Sequence, residues 1–308
     1  MRIDYNCAFA QQFPAPQGEG CPEGEVGSVT EKKVQMTVIE RNFFRLLRAG
    51  INGQPEDVEP LSPWKWRRLY QHAVILGVND YIWQGLEACR DNFYVTLVSP
   101  QLKDKWNKQV VRDSQSEEEA TASLTNPLLD RKLQAIIDRE SAKEETPTRL
   151  LLLNIVEHAR CILNEGISLS LLVEQHQMLK EAANKPDFID YDKLAQWISQ
   201  LHMQLMADLQ GTLLCLLLKW KQEKVPFMKK TLDKTALQLV EELFSASQLS
   251  TDEWYFTQKD DQIFVRTHNS QAMMWHVSHS ARFSGLYPSE AITNFFRSFA
   301  NSLTHIEE

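Results

Sequence analysis

Two groups of cations in the first third of the chain have the residue types and spacing that anion binding requires. Three arginines recur at i, i+4 and i+7, and three further cations follow on the next predicted helix, flanked by two tryptophans. The candidate contacts are Arg41, Arg45, Arg48, Lys65, Arg67 and Arg68, beside Trp64 and Trp66. Cations bind phosphate and aromatic rings stack on bases, so the pattern predicts phosphate or RNA contact. The alternative, favoured by the negative overall charge, is a solvated face balanced by Glu40, Glu56, Asp57 and Glu59.

A second cluster near the C-terminus combines histidines with an aromatic ring and a cation. Its members are His268, Trp275, His276, His279 and Arg282. His276 and His279 lie one turn apart on a predicted helix, a spacing compatible with metal ligation, but no cysteine or second carboxylate stands nearby to complete a site. The sequence therefore predicts a cluster that faces a partner, and it predicts no metal ion.

Carboxylates that could hold a catalytic metal occur as two pairs. Asp190 and Asp192 form the one Asp-x-Asp motif of the chain, while Asp260 and Asp261 are adjacent. Asp190 opens a predicted helix, where a carboxylate accepts hydrogen bonds from free backbone N–H groups. Helix capping therefore explains this pair better than catalysis does.

Other catalytic patterns are missing from the sequence or have a simpler explanation. No GxxxxGK[ST] phosphate loop, HExxH zinc motif, GxSxG elbow or GxGxxG turn occurs. His158 with Cys161 one turn later resembles a base and its nucleophile, but a buried cysteine in a Leu-rich helix is the simpler explanation. The sequence predicts no catalytic residue and no cofactor, with Mg²⁺ expected only if the aspartate pairs converge.

Composition excludes several classes of protein. The 308 residues are 43% hydrophobic and 24% charged, which is ordinary for a globular chain. The longest apolar run, 213–218, is far shorter than the roughly 20 residues of a membrane span. Five scattered cysteines suggest no disulfide framework, and the net charge of −8 repels nucleic acid. We therefore expect a cytoplasmic protein without a membrane or nucleic-acid partner.

Helical periodicity dominates the chain and predicts a mainly α fold of helical bundles with one short β-hairpin near the C-terminus. Residues 1–33 are expected to be a disordered tail, and 34–111 a helical N-terminal region. A polar linker with a short helix is predicted at 112–146. The remainder, 147–308, is predicted as a helical domain with the hairpin at about 253–267.

Individual boundaries follow from local signals. Ser62 before Pro63 predicts a helix start, because proline is favoured at the first helical position. A short run of β-favouring residues predicts a strand at 93–98. In the C-terminal bundle, successive helices are predicted at 190–208 and 209–222.

Three stretches of the chain, taken in order, resemble a known family. They are NFFRLLRAG at 42–50 with WRRLYQHA at 66–73 and GV at 77–78, then NP at 126–127, TP at 146–147 and NEGISL at 164–169, then RF at 282–283 with LYPSEA at 286–291. In this order and spacing they resemble the uncharacterised nucleotidyltransferase family of the polymerase-β-like superfamily, often encoded by anaerobic gut bacteria. The resemblance implies a catalytic α/β unit between the first and second stretches, with carboxylates that hold two metal ions.

The chain departs from that pattern where the catalytic unit belongs. About 20 residues separate Trp106 from Pro127, fewer than the roughly 30 that one βαβ unit takes. The family's Asp-x-Asp pair is also missing from this interval. The resemblance therefore implies a degenerate, non-catalytic relative that acts as a protein-binding or regulatory module.

The expected partner of such a module is a full-length nucleotidyltransferase paralogue or a second copy of the chain. One alternative is a nucleotidyltransferase whose rearranged metal site uses the four aspartates named above. The other alternative is an RNA-binding adaptor that uses the helices with arginine and tryptophan. The enzyme question stays open at this stage, with non-catalytic binding favoured.

Overall fold

The computed structural model describes residues 36–113, 123–141, 146–164, 166–185, 187–244 and 281–293. Within these ranges the chain is mainly helical and contains no strand, which confirms the predicted helical class. The predicted tail at 1–33 and the predicted hairpin at 253–267 lie outside the described residues.

The helices vary from a single turn to five turns. In chain order they are α1 (Val38–Asn52), α2 (Pro63–Ile75), α3 (Asn79–Ala88), α4 (Phe93–Thr96), α5 (Pro100–Asp113), α6 (Pro127–Ser141), α7 (Pro147–Asn164), α8 (Leu169–Asn184), α9 (Tyr191–Gln200) and α10 (Gln204–Leu218). Residues 233–244 and 288–293 are also helical, and 3₁₀ turns lie at Gln222–Lys224 and Ser284–Leu286. Among the described helices, none is long and apolar enough to cross a membrane.

Capping side chains set several helix ends. The Thr37 hydroxyl accepts a hydrogen bond from the N–H of Glu40, whose carboxylate accepts from the N–H of Thr37, so α1 begins with a capping box. Asp190 accepts from the N–H of Lys193 at 2.9 Å and caps α9, as its position predicts. Gly53 ends α1 with a φ of 66°, in the left-handed region that glycine tolerates best.

The predicted strand at 93–98 is wrong, because part of this run forms the single-turn helix α4. The side chain of Asn92 accepts a hydrogen bond from the N–H of Tyr94 at 2.9 Å and starts the turn. Val95 and Val98, three residues apart, are both buried. The hydrophobic spacing that reaches the core is therefore that of a helix and not the alternation of a strand.

The predicted boundary between helices at 208 and 209 is also wrong. The chain breaks at 201–203, after α9 ends at Gln200 and before α10 begins at Gln204. His202 has a φ of 56°, an uncommon conformation for a residue with a side chain. Its neighbours Leu201 and Met203 are fully buried, so packing fixes this turn without glycine or proline.

The crossing of α1 and α3 is the closest helix contact for which glycine is required. A Cβ atom on Gly50 would lie 1.9 Å from the carbonyl oxygen of Tyr81, and one on Gly85 would lie 1.9 Å from that of Leu46. Each helix therefore uses a glycine to admit the backbone of the other. This close packing fixes α1, and with it the arginines that α1 carries.

One hydrophobic core joins helices from the predicted N-terminal and C-terminal regions. Helix α10 packs against α1 as well as against α7, α8 and α9. Helix α6, from the predicted linker, contributes the buried side chains of Leu129, Leu133 and Ile136 to the same core. The surfaces of α1 and α2 are thus held on one packed body.

Candidate functional site

The three arginines of α1 are paired with carboxylates from the loop at 53–62. Arg41 donates to both carboxylate oxygens of Glu59, from its Nε at 2.9 Å and from its Nη2 at 2.6 Å. Arg45 donates from its Nη1 to the Oε1 of the same glutamate at 2.6 Å. Asn42 orients this loop, since its amide donates to the Glu59 carbonyl and its oxygen accepts from the Glu59 N–H, both at 2.9 Å. The hydrogen bond from Arg41, supported by Arg45, lowers the pKa of Glu59 to about 2.

Arg48 forms a second, more buried pair in the same layer. Its Nε and Nη2 atoms each donate to Glu56 at 2.7 Å, and its Nη1 donates to the carbonyl of Leu217 at 2.9 Å. Lys219 reaches the same carboxylate at 3.2 Å. Burial raises the pKa of Glu56, but the hydrogen bonds from Arg48 and Lys219 outweigh it and lower the pKa overall. Arg48 therefore ties α1, the loop and the end of α10 together.

The cations of α2 have a different environment. Trp64 is 62% exposed and Arg67 is exposed, whereas Trp66, two residues from Trp64, is 1% exposed and packs in the core. The side chains of Lys65 and Arg67 form no ion pair with any residue that the structure describes. Arg68, on the same side of the helix, is half-buried. We call the set Trp64, Lys65, Arg67 and Arg68 the α2 face.

One turn after Arg68, burial affects a histidine of the same helix. His72 is buried and its ring lies 5.3 Å from that of Phe244. Burial lowers the pKa of His72 to about 4, and the charge of Arg68 adds to the effect. The imidazole is therefore neutral near pH 7 and belongs to the core rather than to the cationic surface.

Most of the predicted C-terminal cluster lies outside the described residues. The members concerned are His268, Trp275, His276 and His279. Arg282 is described, and its guanidinium forms an ion pair with the carboxylate of Glu242. Whether the cluster faces a partner stays a prediction.

The four aspartates of the alternative metal site are described in part. Asp190 caps α9 and Asp192 is exposed in the first turn of that helix, while Asp260 and Asp261 lie outside the described residues. In the parts of the chain that the structure describes, no group of three or more His, Cys, Asp or Glu side chains is placed to hold a metal ion. A rearranged nucleotidyltransferase site therefore stays a prediction.

A chain of buried polar side chains, which the sequence patterns did not reveal, links α7, α8 and α10. Gln210 donates to the carbonyl of Ile155 at 3.0 Å and accepts from Gln175 at 2.6 Å. The Gln175 amide also lies 3.5 Å from Nδ1 of His158. Burial lowers the pKa of His158 to about 3, so this imidazole stays neutral. The contacts explain how three helices keep their register, and the visible signal was glutamine inside Leu-rich helices.

The LYPSEA stretch at 286–291 makes structural contacts in the described body. The carboxylate of Glu290, buried from solvent, accepts hydrogen bonds from the N–H groups of Thr125 and, at 2.9 Å, of Asn126. It thus satisfies free donors at the start of α6. Tyr287 donates from its hydroxyl to the carbonyl of Leu201 at 2.7 Å. Residues 286–291 are therefore anchored to the start of α6 and to the end of α9.

Comparisons with protein-family models, with curated proteins and with solved structures found no match to this chain. The resemblance to nucleotidyltransferases stays a prediction from the sequence. The functional argument therefore depends on the side chains and contacts described above.

Proposed function

We propose that this chain is a non-catalytic module that binds another protein. The observation that carries the proposal is the α2 face, where a 62% exposed tryptophan stands beside two cations that have no ion pair among the described residues. Tryptophan and arginine are the residue types most enriched among those that dominate binding energy at protein interfaces. A surface of this kind suits recognition of a partner better than it suits a reaction.

The reactive side chains that the structure describes are largely committed to folding. The α1 arginines hold the loop at 53–62, Asp190 caps a helix and His158 is buried and neutral. These groups support the fold on which the α2 face is displayed.

Single exposed apolar side chains are common on protein surfaces and carry little weight alone. The larger ones in the described body include Trp64, Phe93, Leu97, Leu128 and Ile292. Arg67 and Arg68 follow Trp64 by three and four residues on the same helix, so their side chains lie next to it. Leu128 has cations at the same spacing on α6, but it is aliphatic and Asp130 lies in the same turn, whereas α2 contains no Asp or Glu. We therefore assign the binding role to α2.

Charge also bears on the two partners that the sequence suggests. A symmetric dimer through the α2 face would place Lys65 and Arg67 of each copy opposite the same cations of the other copy. Like charges in contact are unfavourable, and each copy also carries a net charge of −8. A different protein, such as a full-length nucleotidyltransferase paralogue, fits this face better than self-association does.

Site-specific photo-crosslinking tests the proposal. A photoreactive amino acid is placed at position 64 of the full chain, and a matched variant carries it at position 93, another exposed aromatic. We expect irradiation in the host cell to give a discrete heterologous adduct from position 64 and not from position 93. An adduct of twice the chain mass would show self-association, and the absence of any adduct at 64 would contradict the proposal.

The enzyme alternative has its own measurement, thermal unfolding with each of the four nucleoside triphosphates and Mg²⁺ or Mn²⁺. A ligand present at 100 times its dissociation constant stabilises the folded state by about 2.7 kcal/mol, which raises the unfolding midpoint by several degrees. We expect no metal-dependent shift. A shift with one nucleotide would favour a nucleotidyltransferase over a non-catalytic module.

A further inference from the structure

We infer that the partner contacts the α2 face through a short acidic segment that also carries an apolar side chain. The inference rests on the proposed protein-binding function and adds the chemistry of the partner. It follows from three features of α2: a rigid apolar anchor, two cations (Lys65 and Arg67) that pair with no carboxylate of the described residues, and a small charged area in an acidic protein.

The apolar anchor is rigid because the other side of α2 is packed in the core. Trp66 and Leu69 are almost fully buried, and the ring of Tyr70 lies 5.1 Å from that of Trp106 in an edge-on contact. The first two turns of α2 are therefore fixed in place. Trp64, on the outer side, can bury its indole against a partner with little loss of backbone freedom.

The charges of Lys65 and Arg67 are not neutralised by the two glutamates of the preceding loop. Glu59 is shared by Arg41 and Arg45, and Glu56 is shared by Arg48 and Lys219. Helix α2 itself contains no Asp or Glu. Among the residues that the structure describes, none pairs with Lys65 or Arg67, so these two cations can bind carboxylates of another molecule.

Helix stability does not explain why these cations lie where they do. Lys65 lies in the first turn of α2, and Arg67 and Arg68 follow within the next turn. The helix dipole disfavours positive charge near the N-terminal end, where acidic residues are the stabilising choice. Complementarity to an acidic partner accounts for this placement.

The small size of the charged area favours an acidic protein segment over nucleic acid. The two helical turns that carry the α2 face span about 11 Å, and salt screens charge beyond about 8 Å under physiological conditions. The α2 face therefore attracts only the few residues of a partner that lie directly against it. A nucleic acid carries phosphates far beyond this area, where it meets a chain of net charge −8. Two or three carboxylates around one apolar side chain match the face without that repulsion.

Peptide display on the full chain tests the inference directly. A library of random peptides of about 15 residues, long enough for four helical turns, is selected for binding. We expect enrichment of peptides that combine Asp or Glu with one aromatic or aliphatic side chain. Affinities of the enriched peptides are then measured for the unsubstituted chain and for Trp64→Ala and Arg67→Glu. Phe93→Ala and Arg131→Glu are the matched controls, since both positions are exposed and lie outside α2.

We expect Trp64→Ala to weaken binding about 30-fold, the effect of an interface anchor. Arg67→Glu should weaken it about tenfold at low salt and less at high salt, because the cation is exposed. Both controls should change the affinity less than about twofold. Thermal unfolding of each variant confirms that the fold is retained.

Several outcomes would overturn the inference. Enriched peptides without acidic residues, or peptides that bind both α2 variants normally, would move the contact elsewhere and leave the protein-binding function standing. Failure to enrich any peptide would also reject the acidic segment, and photo-crosslinking at position 64 would then decide the proposed function separately. A mixed-sequence RNA oligonucleotide that binds the chain and is lost with Arg67→Glu would replace the protein partner with RNA.

Discussion

Helices α1 and α2 carry the same kinds of cation and use them in opposite ways. The arginines of α1 are held by Glu56 and Glu59, with Arg48 also bound to a backbone carbonyl of α10. On α2, Lys65 and Arg67 have no ion pair among the described residues. The position of nearby carboxylates, and not the cations themselves, therefore decides whether a basic helix face stabilises the fold or keeps cations that are unpaired among the described residues.

The loop at 53–62 explains why the carboxylates reach α1 and not α2. Val58 and Leu61 are buried and anchor the loop to the core, and Asn42 fixes the backbone of Glu59 by two hydrogen bonds. These anchors direct Glu56 and Glu59 towards α1. The backbone of the loop therefore determines that its glutamates pair with the arginines of α1 and not with the cations of α2.

Displacing α1 from α3 should have the largest effect on the α1 arginines. In Gly85→Ala the new methyl group would lie 1.9 Å from the backbone oxygen of Leu46, so the helices must separate. We expect a loss of more than about 4 kcal/mol in the free energy of unfolding, because the new methyl group clashes with backbone atoms, which cannot move aside as a side chain can. Urea denaturation followed by circular dichroism measures it.

Gly53→Ala is the control for that substitution. Gly53 has a φ of 66° but no atom within 4 Å of a built Cβ, so the expected cost is only that of a left-handed residue, about 1–2 kcal/mol. Equal losses for the two variants would show that the α1–α3 contact is looser than described. The α1 arginines would then be less firmly placed than the comparison requires.

The two tryptophans of α2 should differ in their effect on stability, although they lie two residues apart on one helix. Trp66→Ala should cost about 3–5 kcal/mol in the free energy of unfolding, since it empties a core position that is 1% exposed. Trp64→Ala should change that free energy by less than about 0.5 kcal/mol, because its indole is largely in water. Chemical denaturation of both variants tests the difference. Similar losses would mean that Trp64 supports the fold and is not a free anchor.

Helix ends that depend on adjacent residues could be predicted from the sequence, whereas helix ends that depend on packing could not. Asp190 and the Ser62-Pro63 pair mark their helices correctly because capping depends on adjacent residues. The break between α9 and α10 carries no such mark. It depends on His202 taking a positive φ between two buried side chains, which is a property of the packed core.

The candidate site shows the same limit. Helical spacing predicts that Arg41, Arg45 and Arg48 share one face, and the sequence also shows the glutamates that could balance them. The sequence could not show that Glu59 reaches α1, nor that no described carboxylate pairs with Lys65, because both depend on how the loop packs. The buried bond between Gln175 and Gln210 joins residues 35 positions apart and was equally hidden.

Substitution of one cation from each helix compares the two surfaces directly. Arg48→Met removes the cation from a largely buried ion pair and leaves Glu56 and the Leu217 carbonyl with fewer hydrogen-bond donors. We therefore expect a loss of about 3 kcal/mol in the free energy of unfolding. Lys65→Met keeps a similar shape on α2 and should cost less than about 0.5 kcal/mol. Urea denaturation at pH 7 measures both. A large effect of Lys65→Met would show that α2 uses its cation for stability.

The smallest expected effect is the pH dependence that Glu59 gives to the α1 surface. Its pKa in the folded chain is about 2, below the ordinary 4.5, so the charged form is favoured by folding. The stabilisation is therefore complete above pH about 4.5 and is lost as the pH falls towards 2. Because the side chain is 31% exposed, we expect it to be no more than about 1 kcal/mol.

The measurement is the difference in urea midpoint between the unsubstituted chain and Glu59→Gln, followed from neutral pH into the acid range. The difference should shrink below pH about 4.5, since protonation makes the glutamate resemble the glutamine. Arg67→Gln on α2 is the control, and its difference from the unsubstituted chain should stay small throughout, because no carboxylate of the described residues pairs with Arg67. A Glu59→Gln difference that stays constant into acid would mean that the α1 arginines are not bound by this carboxylate, and the contrast between the two helices would disappear.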